Sequence, residues 1–115
     1  LYPEIVLPLV KKNLVNAMAH ITGGGMENIP RVMPKHTKMN LLDWPWPELF
    51  LEAQDRSGLS RAEMLQTFNC GMGFCVMVDA KNADLVISEI SKSGLQAFRV
   101  GEIEKSDQEE AEVIY

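Results

Sequence analysis

The sequence is poor in the residues that build disulfide frameworks and metal sites. It contains two cysteines and two histidines in 115 residues. Cys70 and Cys75 lie in one apolar stretch, and their spacing to His20 and His36 matches no pattern of metal ligands. We therefore expect two reduced thiols in a cytoplasmic protein, and no metal site in this chain.

The sequence has fewer basic than acidic residues, and it has no long apolar run. Lysine and arginine total 11 against 16 aspartate and glutamate residues, which gives a formal net charge of -5. We expect neither nucleic-acid nor membrane partners, because both surfaces are negatively charged and favour a basic protein. No apolar run is long enough to cross a bilayer, and the start lacks the regions of a signal peptide. Since the chain opens at Leu1 directly into a regular element, we expect a piece of a longer protein.

The apolar spacing and the turn residues predict an alternation of helices and strands. With 46% hydrophobic residues, the chain has enough apolar material for one core. The pattern predicts an α+β fold class, with a mixed β-sheet and helices packed on it. The last two strands are predicted to form a hairpin, with Gly101 as a bulge. Helices are predicted over 2–12, 27–32, 48–55, 61–68 and from Asp79 to Ser93, and strands over 14–21, 37–43, 74–78, 96–104 and 111–115.

Local patterns accompany these elements. Glu27 would be a favourable charge at the start of its helix, Gly58 would end the third helix, and Asp79 could cap the fifth. Ser60 and Glu63 fit a capping box at the start of the fourth helix. The apolar run 74–78 suits a strand buried on both faces, and the last helix carries one apolar stripe, formed by Ala83, Val86, Ile87 and Ile90.

Three consecutive glycines, Gly23, Gly24 and Gly25, follow a predicted strand and precede a predicted helix. Glycines are costly to order, so this run indicates positive φ angles or a close approach to another group. Exposed N–H groups at a helix start suit an oxyanion, and Arg31 would add a cation. The alternative is a mobile or tightly packed turn without a ligand, since the run matches neither Walker A nor G-x-G-x-x-G spacing.

A second glycine segment, Asn69-Cys70-Gly71-Met72-Gly73, precedes a short apolar strand. The glycines could simply allow a bulge or a close contact between elements. Alternatively, they could bring Asn69 and main-chain amides to the edge of a site.

Two tryptophans alternate with prolines in Trp44-Pro45-Trp46-Pro47, just before a predicted helix. Such a segment could stack a ligand or bind a partner. Packing at the entry of the helix is the interpretation we favour.

Three strings of the sequence resemble the signatures of one family. The first is His20-Ile21-Thr22-Gly23-Gly24-Gly25 with Glu27-Asn28-Ile29-Pro30-Arg31-Val32, the second is Thr67–Gly73, and the weaker third is Val100–Ile103. They resemble the C-terminal half of aminoimidazole ribonucleotide synthetase, also called phosphoribosylformylglycinamidine cyclo-ligase. The resemblance implies a PurM-like C-terminal domain over residues 1–115, three-layered and partly ferredoxin-like. It also implies that an N-terminal ATP-binding half is absent from this chain.

The resemblance implies an activity in purine biosynthesis, the ATP-dependent closure of formylglycinamidine ribonucleotide to aminoimidazole ribonucleotide. ATP and Mg²⁺ would be bound mainly by the absent half, the fragment alone would be inactive, and the full-length protein would be a homodimer. His20 becomes the catalytic candidate, as a donor to phosphate or as an acid or base. The residues implied in substrate or phosphate binding are Thr22, Gly23, Gly24, Gly25, Asn28, Arg31 and Asn69.

The sequence departs from the family pattern at two places. Only Met26 separates Gly25 from Glu27, where the family has two residues, and only Leu1 precedes the matching Tyr2. Two alternatives stay open beside the cyclo-ligase. One is another ATP-dependent enzyme of the PurM-like superfamily, and the other is a stand-alone ferredoxin-like binding or regulatory module for a phosphorylated ligand.

Overall fold

A computed structural model describes residues 2–115 of the chain. The fold class is α+β, as the sequence predicts. No helix in this part of the chain is long and apolar enough to cross a membrane. The elements are α1 (Tyr2–Lys11), β1 (Ala17–His20), β2 (Thr37–Leu41), α2 (Glu48–Ser57), α3 (Arg61–Thr67), β3 (Phe74–Met77), α4 (Ala83–Ser91), β4 (Gly101–Lys105) and β5 (Glu112–Ile114), with 3₁₀ helices at Gly25–Asn28, Pro30–Val32 and Ala80–Asn82.

Strand β2 is the centre of a mixed three-stranded sheet. It pairs antiparallel with β4 and parallel with β5, so that Met39 lies opposite both Ile103 and Val113. The predicted mixed sheet is confirmed, but the predicted hairpin of the last two strands is wrong. The connection after β4 crosses the start of β2 instead. There, His36 donates its N–H to Glu109 and accepts from the N–H of Ser106, both at 2.9 Å.

The described residues fall into two compact units, the first of which combines the chain up to Met18 with Val76–Arg99. In this unit α1 contacts α4, and Val6, Leu9 and Val86 are buried. The predicted apolar stripe of α4 is fully buried only at Val86, whereas its neighbours in the stripe are half-buried. Asp79 occupies the N-cap position of the 3₁₀ helix Ala80–Asn82, as predicted, but its side chain makes no capping hydrogen bond. That carboxylate instead accepts a hydrogen bond of 3.0 Å from the side chain of Asn16.

The second unit comprises Ala19–Cys75 and Val100–Tyr115. Its core is centred on the segment after β1 and on α3, where the most deeply buried side chains are Met26, Ile29, Met64, Leu65 and Cys70. The capping box of α3 is confirmed: Ser60 accepts from the N–H of Glu63, and Glu63 accepts in return from Ser60, each at 3.1 Å.

Three local predictions need correction. The helix expected over 27–32 is a pair of 3₁₀ turns, because Pro30 has no N–H with which to continue an α-helix. The strand expected from residue 96 begins only at Gly101, which pairs in register with Leu41 and forms no bulge. Strand β3 is half-buried rather than buried on both faces, since it pairs with β1 in a sheet of only two strands.

Candidate functional site

The first glycine segment forms a loop at the exposed end of β1. A hydrogen bond of 3.0 Å from Ile21 N to Gly73 O joins the loop to the second glycine segment. After the buried Ile21, the residues Thr22, Gly23 and Gly24 are exposed. Gly24 has a φ of 94°, which favours glycine. The loop therefore presents main chain to the surface, as an anion cradle requires.

The third glycine, Gly25, has a different reason to be glycine. It is buried with a φ of 54°, and a β-carbon there would collide with the carbonyl oxygens of Leu65 and Phe68 at the end of α3. At Gly23, by contrast, an added β-carbon would meet nothing within 4 Å. Close packing thus explains Gly25, whereas the first two glycines remain open on the surface.

Asn28 supports the loop from beneath. The residue is 7% exposed, and its side-chain amide nitrogen donates to Gly25 O at 2.8 Å, Gly23 O at 3.3 Å and Thr22 O at 3.4 Å. These bonds direct the carbonyl groups of the loop inward onto one side chain. Direct contact between Asn28 and a substrate stays a prediction.

The two ionisable candidates, His20 and Arg31, are both exposed. The ring centroid of His20 lies 6.4 Å from that of Phe74, with the planes tilted by 38°. Arg31 lies on the 3₁₀ helix Pro30–Val32 and makes no ion pair with any residue from 2 to 115. Its guanidinium group is therefore available to an external anion.

The second glycine segment is a tight turn that Asn69 stabilises. The side-chain oxygen of Asn69 accepts from Gly71 N at 2.9 Å, and its carbonyl oxygen accepts from Met72 N at the same distance. Cys70 and Gly71 both have positive φ angles, 49° and 92°, as in a type I′ turn. The side-chain oxygen of Asn69 is thus engaged in its own turn, and a role in ligand binding stays a prediction.

Trp44 and Pro47 hold this second turn, a role that the sequence did not reveal. The buried indole Nε1 of Trp44 donates to Cys70 O at 3.2 Å. A β-carbon on Gly71 would lie 2.7 Å from Pro47 Cγ, so only glycine allows the contact. Packing of the tryptophan-proline segment at the entry of α2 is therefore confirmed. The sequence offered one indication of this contact, namely that it contains both a rigid Trp-Pro segment and a later segment, Cys70-Gly71, that is itself typical of a turn.

The end of α3 is the common support of both glycine segments. It contacts Gly25 through main-chain carbonyls, while Cys70 Sγ lies 3.8 Å from Met64 O. Burial raises the pKa of Cys70 to about 11, against a smaller opposing effect of Arg61. A thiol in this state packs as a small apolar side chain and is a poor nucleophile.

Tyr115 is a further residue that sequence reasoning missed near the loop. Its hydroxyl oxygen is buried and has no hydrogen-bond partner of suitable geometry in residues 2–115. Burial, followed by the negative charge of nearby Glu27, raises the pKa of Tyr115 to about 12. Glu27, interpreted from sequence as a favourable charge at a helix start, thus faces the last residue of the chain.

Metal-binding clusters are not found in the part of the chain that the structure describes. No group of three or more histidine, cysteine, aspartate or glutamate side chains there could hold a metal ion.

Comparison with models of known protein families assigns the chain to a family. Residues 1–114 match the family described as AIR synthase related protein, C-terminal domain. The chain belongs to this family. AIR synthase related domains are part of the PurM-like superfamily, whose members are typically ATP-dependent enzymes. The match includes both glycine segments and the start of β4.

Proposed function

We propose that this AIR synthase related domain supplies the C-terminal half of the active site of a cyclo-ligase. The enzyme would convert formylglycinamidine ribonucleotide to aminoimidazole ribonucleotide with ATP, in the cytoplasm and as a homodimer at full length. Family membership over residues 1–114 supports the superfamily, and the resemblance of the two glycine segments supports this reaction within it.

One observation carries the proposal, the exposed loop between β1 and the first 3₁₀ helix. Gly23 and Gly24 donate no main-chain hydrogen bond within residues 2–115. Their N–H groups are therefore available to an anionic ligand, and the open space at Gly23 lets such a ligand approach the main chain. Because Asn28 already holds the loop carbonyls, the donors are oriented before any ligand arrives.

The reaction needs groups that stabilise negative charge and one that handles a proton. ATP, with Mg²⁺ bound mainly by an N-terminal half, supplies the phosphoryl group that activates the amide oxygen of the substrate. In the proposal, the N–H groups of the glycine loop and the guanidinium of Arg31 bind phosphate oxygens. His20 transfers a proton as the amidine nitrogen closes the ring and phosphate leaves.

The test is turnover of ATP with formylglycinamidine ribonucleotide by the full-length protein and its variants. We expect His20→Ala and Arg31→Ala each to lose more than about tenfold in kcat/KM, which is roughly 1.4 kcal/mol of transition-state stabilisation. Arg99→Ala is the matched control, since Arg99 is also exposed and makes no ion pair in the described chain. Its activity should equal that of the wild type.

Two results would contradict the proposal. Absence of product from well-folded full-length protein would eliminate the cyclo-ligase and favour a binding module for a phosphorylated ligand. Equal losses in Arg31→Ala and Arg99→Ala would eliminate the specific role of Arg31.

A further inference from the structure

A second anion site is suggested by a groove in the second unit, built from residues that the proposed reaction does not use. The groove has a volume of about 630 Å³ and lies where β2 begins and β4 ends. It is lined by Lys35, His36, Thr37, Lys38, Lys105, Ser106 and Asp107.

The lining is basic although the chain as a whole is acidic. Three of the 11 basic residues face this one groove, against a single carboxylate, that of Asp107. Lys105 is exposed and makes no ion pair within residues 2–115. Lys105 therefore offers an unpaired positive charge to a ligand, in a protein whose net charge is -5.

The other two lysines have carboxylate partners at the rim of the groove. Lys38 Nζ lies 3.4 Å from Glu104, and Lys35 Nζ lies 3.5 Å from Glu109. Both pairs are reached by solvent, although the Lys38 side chain is only 35% exposed. Ion pairs at the surface contribute only about 0–1 kcal/mol, so a doubly charged ligand can compete for the lysines. Glu104 and Glu109 do not line the groove itself.

The main chain around the groove is held in place by hydrogen bonds. His36 has a φ of 60° and exchanges two bonds of 2.9 Å, one with Glu109 O and one with Ser106 N. Thr37 lies opposite Lys105 in the sheet register. Ser106 Oγ accepts from Gln108 N at 3.1 Å, which leaves its O–H to donate to a ligand. Flexible ammonium groups thus surround a rigid rim with one hydroxyl donor.

We propose that this groove binds a phosphate dianion, either inorganic phosphate or the phosphate of a small monoester. Three ammonium groups and a hydroxyl suit a compact anion with several acceptor oxygens. A nucleic acid fits less well, because a long polyanion would also meet the acidic surroundings. The site shares no residue with the glycine loop and is independent of the proposed reaction.

The test is an NMR titration of the intact protein at constant ionic strength, observed through its main-chain amides. One arm uses inorganic phosphate and the other uses glycerol 3-phosphate. We expect saturable shifts of the amides of His36 and Ser106 in at least one arm. Tighter binding of glycerol 3-phosphate would identify the ligand as a monoester, and equal or tighter binding of inorganic phosphate would identify the free anion.

The variants make the titration specific. Lys105→Ala should weaken binding at least fivefold, and Lys105→Gln should do the same while preserving the length of the side chain. Lys81→Ala is the matched control, because Lys81 is an exposed lysine outside the groove with no ion pair in the described chain. No saturable shift at His36 and Ser106, or equal weakening by the Lys81 and Lys105 variants, would overturn the proposal.

Discussion

Gly25 lies against the end of α3 so closely that an added β-carbon would stand 2.6 Å from the carbonyl oxygen of Phe68. The same run of glycines leaves Gly23 without any neighbour at the corresponding position. Two glycines of one run therefore serve different purposes, since Gly25 permits close packing and Gly23 exposes main chain. This difference can be measured.

We predict that Gly25→Ala destabilises the protein far more than Gly23→Ala. The new β-carbon meets the Leu65 and Phe68 carbonyls and the residue keeps a positive φ, so the loss should be about 2–4 kcal/mol. Gly23→Ala should change the unfolding free energy by less than about 1 kcal/mol. Urea unfolding of both variants is the measurement, and equal losses would disprove the assignment.

Replacement of Asn28 should loosen the glycine loop. Asn28→Ala removes the donor of three hydrogen bonds to loop carbonyls, of which the bond to Gly25 O is buried. We expect a loss of about 1–3 kcal/mol, because that buried carbonyl loses its side-chain donor. Asn28→Asp is the sharper comparison, since it preserves the shape but places an oxygen where the donor nitrogen was. It should be at least as destabilising as alanine at pH 7; wild-type stability of the aspartate variant would contradict the donor role.

Trp44→Phe should destabilise the second glycine turn. The substitution removes the indole donor of the 3.2 Å bond to Cys70 O and leaves that buried carbonyl unpaired. We expect a loss of about 1–3 kcal/mol in urea unfolding. Trp46→Phe is the control, because Trp46 is only half-buried and its indole nitrogen makes no hydrogen bond in the described chain. A larger loss at Trp46 would refute the prediction.

The capping box of α3 should make stability depend on pH. Hydrogen bonds from Ser60 lower the pKa of Glu63 below 4.5. Ionised Glu63 is thus favoured in the folded state, and its contribution is present above pH 4.5 and lost as the pH falls through the folded pKa. The difference in urea midpoint between wild type and Glu63→Gln should shrink from pH 6 to pH 3. A difference that stays constant over this range would exclude the effect.

Both cysteines should resist alkylation in the folded protein. Burial raises the pKa of Cys70 and of Cys75 to about 11. At pH 8 a thiol with that pKa is roughly 0.1% ionised, compared with about a quarter for an ordinary cysteine. Reaction with iodoacetamide should therefore be more than about 100-fold slower in the native state than in urea. Rapid native labelling of either cysteine would show that its thiol is not shielded by burial.

Local signals in the sequence were enough to predict several elements. The capping box of Ser60 and Glu63, and Gly58 at the end of α2, involve residues only a few positions apart. The hydrogen bonds that stabilise them form within one turn of helix, so their pattern is visible in the sequence. The family signatures likewise located the glycine loop, in which Thr22, Gly23 and Gly24 are exposed and Gly25 is buried.

The missed features depend on residues far apart in the chain. Gly25 packs against the end of α3, and Trp44 donates a hydrogen bond to the turn at Cys70. Strand β5 pairs with β2, and no turn residue encodes that pairing. Periodicity reports which side of an element is apolar but not which element covers it. The hairpin was predicted because β4 and β5 are neighbours in sequence, whereas the tie between His36 and the connecting turn became visible only in three dimensions.

The position of β2 has a consequence for the order in which the protein is made. This central strand ends at Leu41, and both of its partners come from the segment that begins at Gly101. During translation, β2 therefore leaves the ribosome about sixty residues before its first partner, and both of its edges stay open in the interval. Contacts over such separations slow folding, and open edges favour aggregation. A nascent chain arrested before β4 should bind chaperones. A nascent chain extended beyond β5, in which both partners of β2 have left the ribosome, should no longer bind them.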